Sequence, residues 1–136
     1  MTTEPTIPKE SALVEITPET EALVRDNMKG ESEDLKRETM ALIDAIKKRA
    51  QSEAQTAGTF TRDTYLHAVR QARESVEKNQ LIDPERIAYS MKLIQMEAEK
   101  NWESLIKEVS TFGDRLTDAA KAAWDALTAP RHDSRS

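Results

Sequence analysis

The sequence predicts an all-α protein, and three features carry that expectation. Glycine and proline are scarce, 3 and 5 residues in a chain of 136, which leaves little material for the tight turns of a sheet. Aromatic residues make up 4% and charged residues 33%, a balance that suits solvated helices better than strands. Apolar residues recur at steps of three and four over long stretches, the period of a helix with one buried face. The hydrophobic share of 38% is low for a globular domain, so the core is expected to be thin or completed by a partner. The expected architecture is a three-helix bundle or antiparallel coiled coil, with one long C-terminal helix and a disordered N-terminal tail. Residues 1–30 are expected to be a flexible acidic tail holding a short helix, residues 31–128 a helical domain, and residues 129–136 a disordered C-terminal tail.

Each element has a local signal. Pro5, Pro8 and Pro18, mixed with Thr and Glu, do not build a core alone. Within that region Thr17 is a good N-cap and Pro18 a good first helical residue. Leu23, Val24 and Met28 then share one face of a short helix, a candidate linear motif that orders on a partner. The first long helix is expected over about 33–56. It carries Leu35, Leu42, Ile43, Ile46, Ala50 and Ala54 at helical spacing, acids at its start and Gly58 just past its end. The second begins after Thr61, where Phe60 and Tyr65 are spaced as a hydrophobic staple, and continues through Leu66, Val69, Ala72 and Val76. The third start is "LIDPERIAY": Asp83 as N-cap, Pro84 at the first position, and Ile82 with Ile87 as a second staple.

From Ile87 the stripe runs through Met91, Ile94, Ala98, Trp102, Leu105, Val109, Phe112, Leu116, Ala119, Ala123 and Leu127, with a stutter between Ala98 and Trp102. Its phase continues across Gly113. A lone glycine costs a helix about 1 kcal/mol relative to alanine, so one continuous helix is expected from 84 to 128, roughly 65–70 Å long. Its last turns are then left overhanging or folded back, with Leu116, Ala120, Trp124 and Leu127 on a partly uncovered face. These four, with Leu23, Val24 and Met28, are the candidate partner-binding residues. Trp102 is expected in the core.

Composition narrows the function. Net charge is −5 and no segment is strongly basic, so a nucleic-acid footprint is lacking. The one basic run, Lys47-Lys48-Arg49, is expected on a solvated helix face. Cysteine is absent, which removes disulfides, thiol catalysis and thiolate metal sites. The N-terminus lacks the basic start and apolar stretch of a secretory signal, and no apolar run is long enough to span a bilayer. His67 and His132 stand apart from each other, and no Glu-x-x-His pair of a carboxylate-bridged metal bundle occurs. Neither a nucleophile elbow nor a phosphate-binding loop is found. The expectation is therefore no catalytic residues, no cofactor and no metal. The polar side of residues 110–128 carries Asp114, Asp118 and Asp125 against Arg115 and Lys121, an acidic balance that favours a protein partner over an anionic membrane.

Residues 60–128, from "TFTRDTYLHAVRQARE" through "LIDPERIAYSMKLIQMEAEKNW" to "DAAKAAWDALTAP", resemble small helical proteins found in cyanobacteria, with plastid relatives as an expectation. The resemblance covers about half the chain and rests on texture and on the "IDPERI…EKNWESL" run. It implies a cytoplasmic or thylakoid-surface location and an accessory role near photosynthetic complexes. The segment "AAKAAWDAL" also resembles the granule-coating helices of phasins. The expected function is a non-catalytic helical interaction or assembly factor with a protein partner, homo-oligomers being allowed. The alternative is a phasin-like peripheral protein of membranes or of lipid or polymer granules.

Overall fold

The computed structural model describes residues 16–58, 60–80 and 82–128. Among them it holds six α-helices, one short 3-10 turn and no strand. Helix α1 spans Pro18–Asn27, α2 Glu33–Thr56, α3 Arg62–Asn79, α4 Pro84–Lys100, α5 Trp102–Phe112 and α6 Leu116–Thr128, with the 3-10 turn Gly113–Arg115 between the last two. The all-α class is as the sequence predicts.

Four helix starts follow the local chemistry. Thr17, Ser32, Thr61 and Asp83 each accept a hydrogen bond from a backbone N–H of the first turn, which satisfies a donor that the helix itself leaves unpaired. Proline follows the cap in α1 and α4, where its missing N–H costs nothing. The Phe60 and Tyr65 rings meet with centroids 6.0 Å apart at the start of α3, and Ile82 packs at the edge of the core that buries Ile87. Helix α2 ends at Gly58, whose φ of +88° is a conformation that glycine adopts without penalty.

Helix α2 is the centre of the fold, with α1, α3, α4 and α6 all packed against it. Thr17 and Thr20 meet Asp44 while Arg25 meets Glu33, so α1 runs antiparallel to α2. Arg86 meets Glu38 and Glu97 meets Lys47, so α4 runs parallel to it. Ser52 meets Thr117 and Arg49 meets Trp124, so α6 runs antiparallel. Covered from several sides, α2 buries every residue from Leu42 to Lys48. The core joins Leu23, Val24 and Met28 of α1 to Leu42, Ile43 and Ile46 of α2, Tyr65 and Val69 of α3, Ile87 and Ile94 of α4, and Leu105 of α5. At roughly 1.5–3 kcal/mol for each large aliphatic or aromatic side chain taken from water, this joint burial is the main force holding the six helices together.

Three expectations are corrected. The stretch 84–128 is not one helix. At Asn101 the backbone leaves the helical region, with φ −130° and ψ 41°, although its N–H still reaches Glu97 O. The break falls within the stutter of the stripe, between Ala98 and Trp102, and Ala98 before it and Leu105 after it are both buried. At Gly113 φ is +54° and ψ −128°, which interrupts the helix, and beyond it α6 lies along α2. Burial of Leu116, Ala120 and Ala123 there acts together with the roughly 1 kcal/mol by which glycine disfavours a continuous helix.

The second correction concerns residues 16–30, which are not a tail: α1 belongs to the core. Residues 1–15 and 129–136, expected to be disordered tails, lie outside the described residues. The third concerns Lys47 and Lys48, which are buried and not solvated. The pattern assumed a helix with one buried side, whereas α2 is surrounded.

Candidate functional site

The burial of α2 creates a charge cluster. Lys47 Nζ lies 2.9 Å from a Glu97 oxygen on α4 and 3.1 Å from Glu108 Oε2 on α5, with all three side chains no more than 3% exposed. The same ammonium donates to Thr20 Oγ1 on α1 at 3.1 Å. Gln51 Nε2 donates to Glu108 Oε1 at 3.0 Å. One turn toward the start of α2, Asp44 accepts from the backbone N–H and hydroxyl of Thr17 and from the Thr20 hydroxyl, and pairs with Lys48 at 2.7 Å. Asp44 thus sits at the positive end of α1, where the helix dipole and the open N–H groups favour a carboxylate.

The electrostatics follow from one cation facing two carboxylates. Burial works against the Lys47 ammonium, but Glu108 and Glu97 together outweigh it and hold Lys47 above its ordinary value. Burial also pushes the Glu108 carboxyl above the ordinary carboxylate range, against the pull of Lys47 and Gln51. The Tyr65 phenol is pushed well above its usual value by burial, with the nearby carboxylates adding to the effect. A lysine used as a nucleophile needs its amine neutral; Lys47 is shifted the other way. Tyr65 OH, Ser90 Oγ and Gln51 Oε1 are buried without a hydrogen-bond partner.

The cluster borders a groove. Glu108 and Lys48 line the inner side of an open cavity of about 580 Å³, bounded by Ile16, Thr17, Pro18 and Glu19 at the start of α1, by Thr111, Phe112 and Arg115 at the α5–α6 turn, and by Asp118, Ala119 and Ala122 on α6. Ile16, Pro18, Phe112 and the two alanines give it apolar walls. The Lys48 ammonium stands 5.2 Å from the Phe112 ring centre, and the Arg115 guanidinium 6.0 Å from it. The size falls in the range of ligand and side-chain pockets, about 300–1,000 Å³. Residues on both sides of the break at Gly113 form one wall of it, Thr111 and Phe112 before it and Arg115, Asp118, Ala119 and Ala122 after it.

The candidate partner-binding residues fall elsewhere. Leu23, Val24 and Met28 are buried in the chain's own core, so they offer no docking face in this conformation; an apolar face on a short helix is equally what core packing requires. Leu116 and Ala120 are buried where α6 lies along α2. Trp124 is half-buried, with the Arg49 guanidinium 4.2 Å from its ring centre, and Leu127 packs at the core edge. Trp102 stacks on Phe60 with centroids 5.2 Å apart, close to its expected place. His67 is exposed and lies 3.3 Å from Gln71. Among the described residues no group of three or more His, Cys, Asp or Glu is placed to hold a metal, and no helix is long and apolar enough to cross a membrane.

Asp44, Glu97 and Glu108 were not singled out from the sequence, and Lys47 was expected only as part of a solvated basic run. Asp44 carried a faint signal, an acid inside the apolar run "ALIDAI". Glu97 and Glu108 each sit one residue off the apolar stripe, where a solvated acid looks the same. No family model matches the chain, and neither the curated proteins nor the solved structures provide a match.

Proposed function

We propose that this chain is a non-catalytic helical interaction or assembly factor, and that it docks its partner in the groove between α1, α2 and the α5–α6 turn. The observation that carries this reading is the groove itself: about 580 Å³, open, with apolar walls and a charged inner side. Elsewhere the described surface offers little apolar material, since Ile106 on α5 is the one large hydrophobic side chain left exposed among those residues. Apolar side chains seated in a desolvated cleft supply most of the affinity of small interfaces. The resemblance of residues 60–128 to cyanobacterial helical proteins makes the thylakoid surface the first setting in which to seek the partner. The granule- or membrane-coating alternative would require α6 to leave α2 and expose Leu116, Ala120 and Ala123.

The test is capture from a cyanobacterial extract with the tagged full chain, beside two variants. Ala122→Trp fills the groove; Glu74→Lys changes an exposed position on α3. The reading expects one stoichiometric protein that the parent chain and Glu74→Lys retain and Ala122→Trp loses. Equal retention by all three sinks the groove as the docking site. Co-sedimentation with vesicles in the absence of a protein partner favours the peripheral alternative.

A further inference from the structure

The charge around the groove points to what occupies it, given that it is a docking site as proposed above. On its rim, Glu19 and Asp118 outnumber Arg115. On the inner side, Lys48 lines the cavity and is paired with Asp44, whereas Lys47 behind it faces both Glu97 and Glu108, which leaves one carboxylate charge uncompensated. Glu108 belongs to both layers: one side of its carboxyl is held by Lys47 and Gln51, and its side chain also lines the cavity. The groove is thus apolar in its walls and negative in its field. We infer that it takes a partner segment presenting an apolar side chain beside a lysine or arginine. The apolar side chain fills the space between Phe112 and Ala122, and the cation meets Glu19 and Asp118 at the rim, within reach of the field of Glu108. An acidic segment is excluded by the same field, because like charges brought together at a partly desolvated site cost affinity.

The burial of Glu108 adds a signature. Burial holds its carboxyl above the ordinary carboxylate range, and an arriving cation favours the ionised form. Binding of a basic segment therefore releases protons from Glu108, and its affinity rises with pH through the range in which that carboxyl titrates.

The test uses the full chain and three synthetic peptides followed by calorimetry: acetyl-Lys-Leu-Phe-Leu-Lys-amide and its analogues flanked by Gln or by Glu. The lysine form is expected to bind about tenfold more tightly than the glutamine form, from one or two added charge contacts, with the glutamate form weakest. Asp118→Lys should remove most of that preference, Glu74→Lys should leave it, and Ala122→Trp should abolish binding of all three. Equal affinity for the three peptides overturns the charge assignment, and if Ala122→Trp still blocks them the groove stands as a docking site. No binding of any peptide overturns this inference while leaving the capture experiment to judge the function. Self-association that is lost in Ala122→Trp assigns the groove to a second copy of the chain and overturns it too.

Discussion

Lys47 and Glu108, sixty-one residues apart in sequence, meet at 3.1 Å in the interior and tie α5 to α2 through charge. Around that contact Glu97, Thr20 and Gln51 fill the remaining hydrogen-bonding positions. Such a cluster need not add stability relative to an apolar core, because taking charges from water costs nearly what their attraction returns. Its weight appears when one member is removed.

Lys47→Met should therefore destabilise the protein by about 3–5 kcal/mol, since it leaves Glu97 and Glu108 buried together without a cation. Urea unfolding followed by circular dichroism measures this. Adding Glu97→Gln and Glu108→Gln to the same chain should recover much of the loss, because no buried charge is then left unpaired. A single Lys47→Met change that costs less than a surface substitution would show that water reaches the cluster.

Stability should also depend on pH in a direction set by Glu108. Its carboxyl is raised above 4.5 in the folded chain, so the folded state binds its proton more tightly than the unfolded state. The contribution of this group is then most favourable at low pH, and it declines as pH rises from the ordinary carboxylate range through the raised value. Lys47, raised above 10.5, contributes stability that is fully present below that value and is lost as pH climbs through its folded-state pKa. Denaturant titrations of the parent chain and Glu108→Gln across the acidic range should show the parent losing stability relative to the variant with rising pH. An unchanged difference over that range would refute the assignment.

Local signals made the helix starts legible. Thr17, Thr61 and Asp83 act through side-chain oxygens on the nearest N–H groups, an interaction that needs no knowledge of the rest of the chain; Ser32 does the same for α2 and was not read as a cap. The break at Asn101 lies inside the stutter between Ala98 and Trp102, but the stutter was read as a variation within one helix and did not foretell it. What stayed hidden was tertiary. Whether Lys47 faces water depends on how many helices surround α2, and nothing in "AIKKRA" encodes that number. The break at Gly113 was hidden for the same reason, since the surface that α6 covers beyond it belongs to α2. The groove is lined by residues on both sides of that break and by α1 and α2, so it was out of reach as well.

The two tryptophans should differ. Trp102 stacks on Phe60 and lies 5.8 Å from the Tyr65 ring, joining the starts of α3 and α5. Trp102→Ala should cost about 3 kcal/mol through lost burial and ring contacts. Trp124 is covered on one side by Arg49, a contact worth about 0.5–1 kcal/mol at a partly exposed position. Trp124→Ala should cost about 1–2 kcal/mol, and the Arg49→Ala, Trp124→Ala cycle should show coupling near the size of that contact. Thermal melts of the four chains decide. If Trp124→Ala is as damaging as Trp102→Ala, position 124 carries core weight that its half-buried ring does not explain.

Gly113 supplies a test whose sign separates two architectures. In a continuous helix from 84 to 128, Gly113→Ala would stabilise the protein by about 1 kcal/mol. Here the residue has φ +54° and ψ −128°, a backbone conformation that an L side chain rarely enters. An added Cβ would meet nothing within 4 Å, so crowding plays no part and any cost comes from the backbone. Forcing alanine into that region costs on the order of 1–3 kcal/mol. Relieving the strain means changing the turn, which disturbs the packing of Leu116, Ala120 and Ala123 beyond it. Gly113→Ala should thus lower stability by about that amount and raise hydrogen exchange in α6 before the rest of the fold. A gain in stability, with α6 protected as before, would mean that the last helix runs straight through this position.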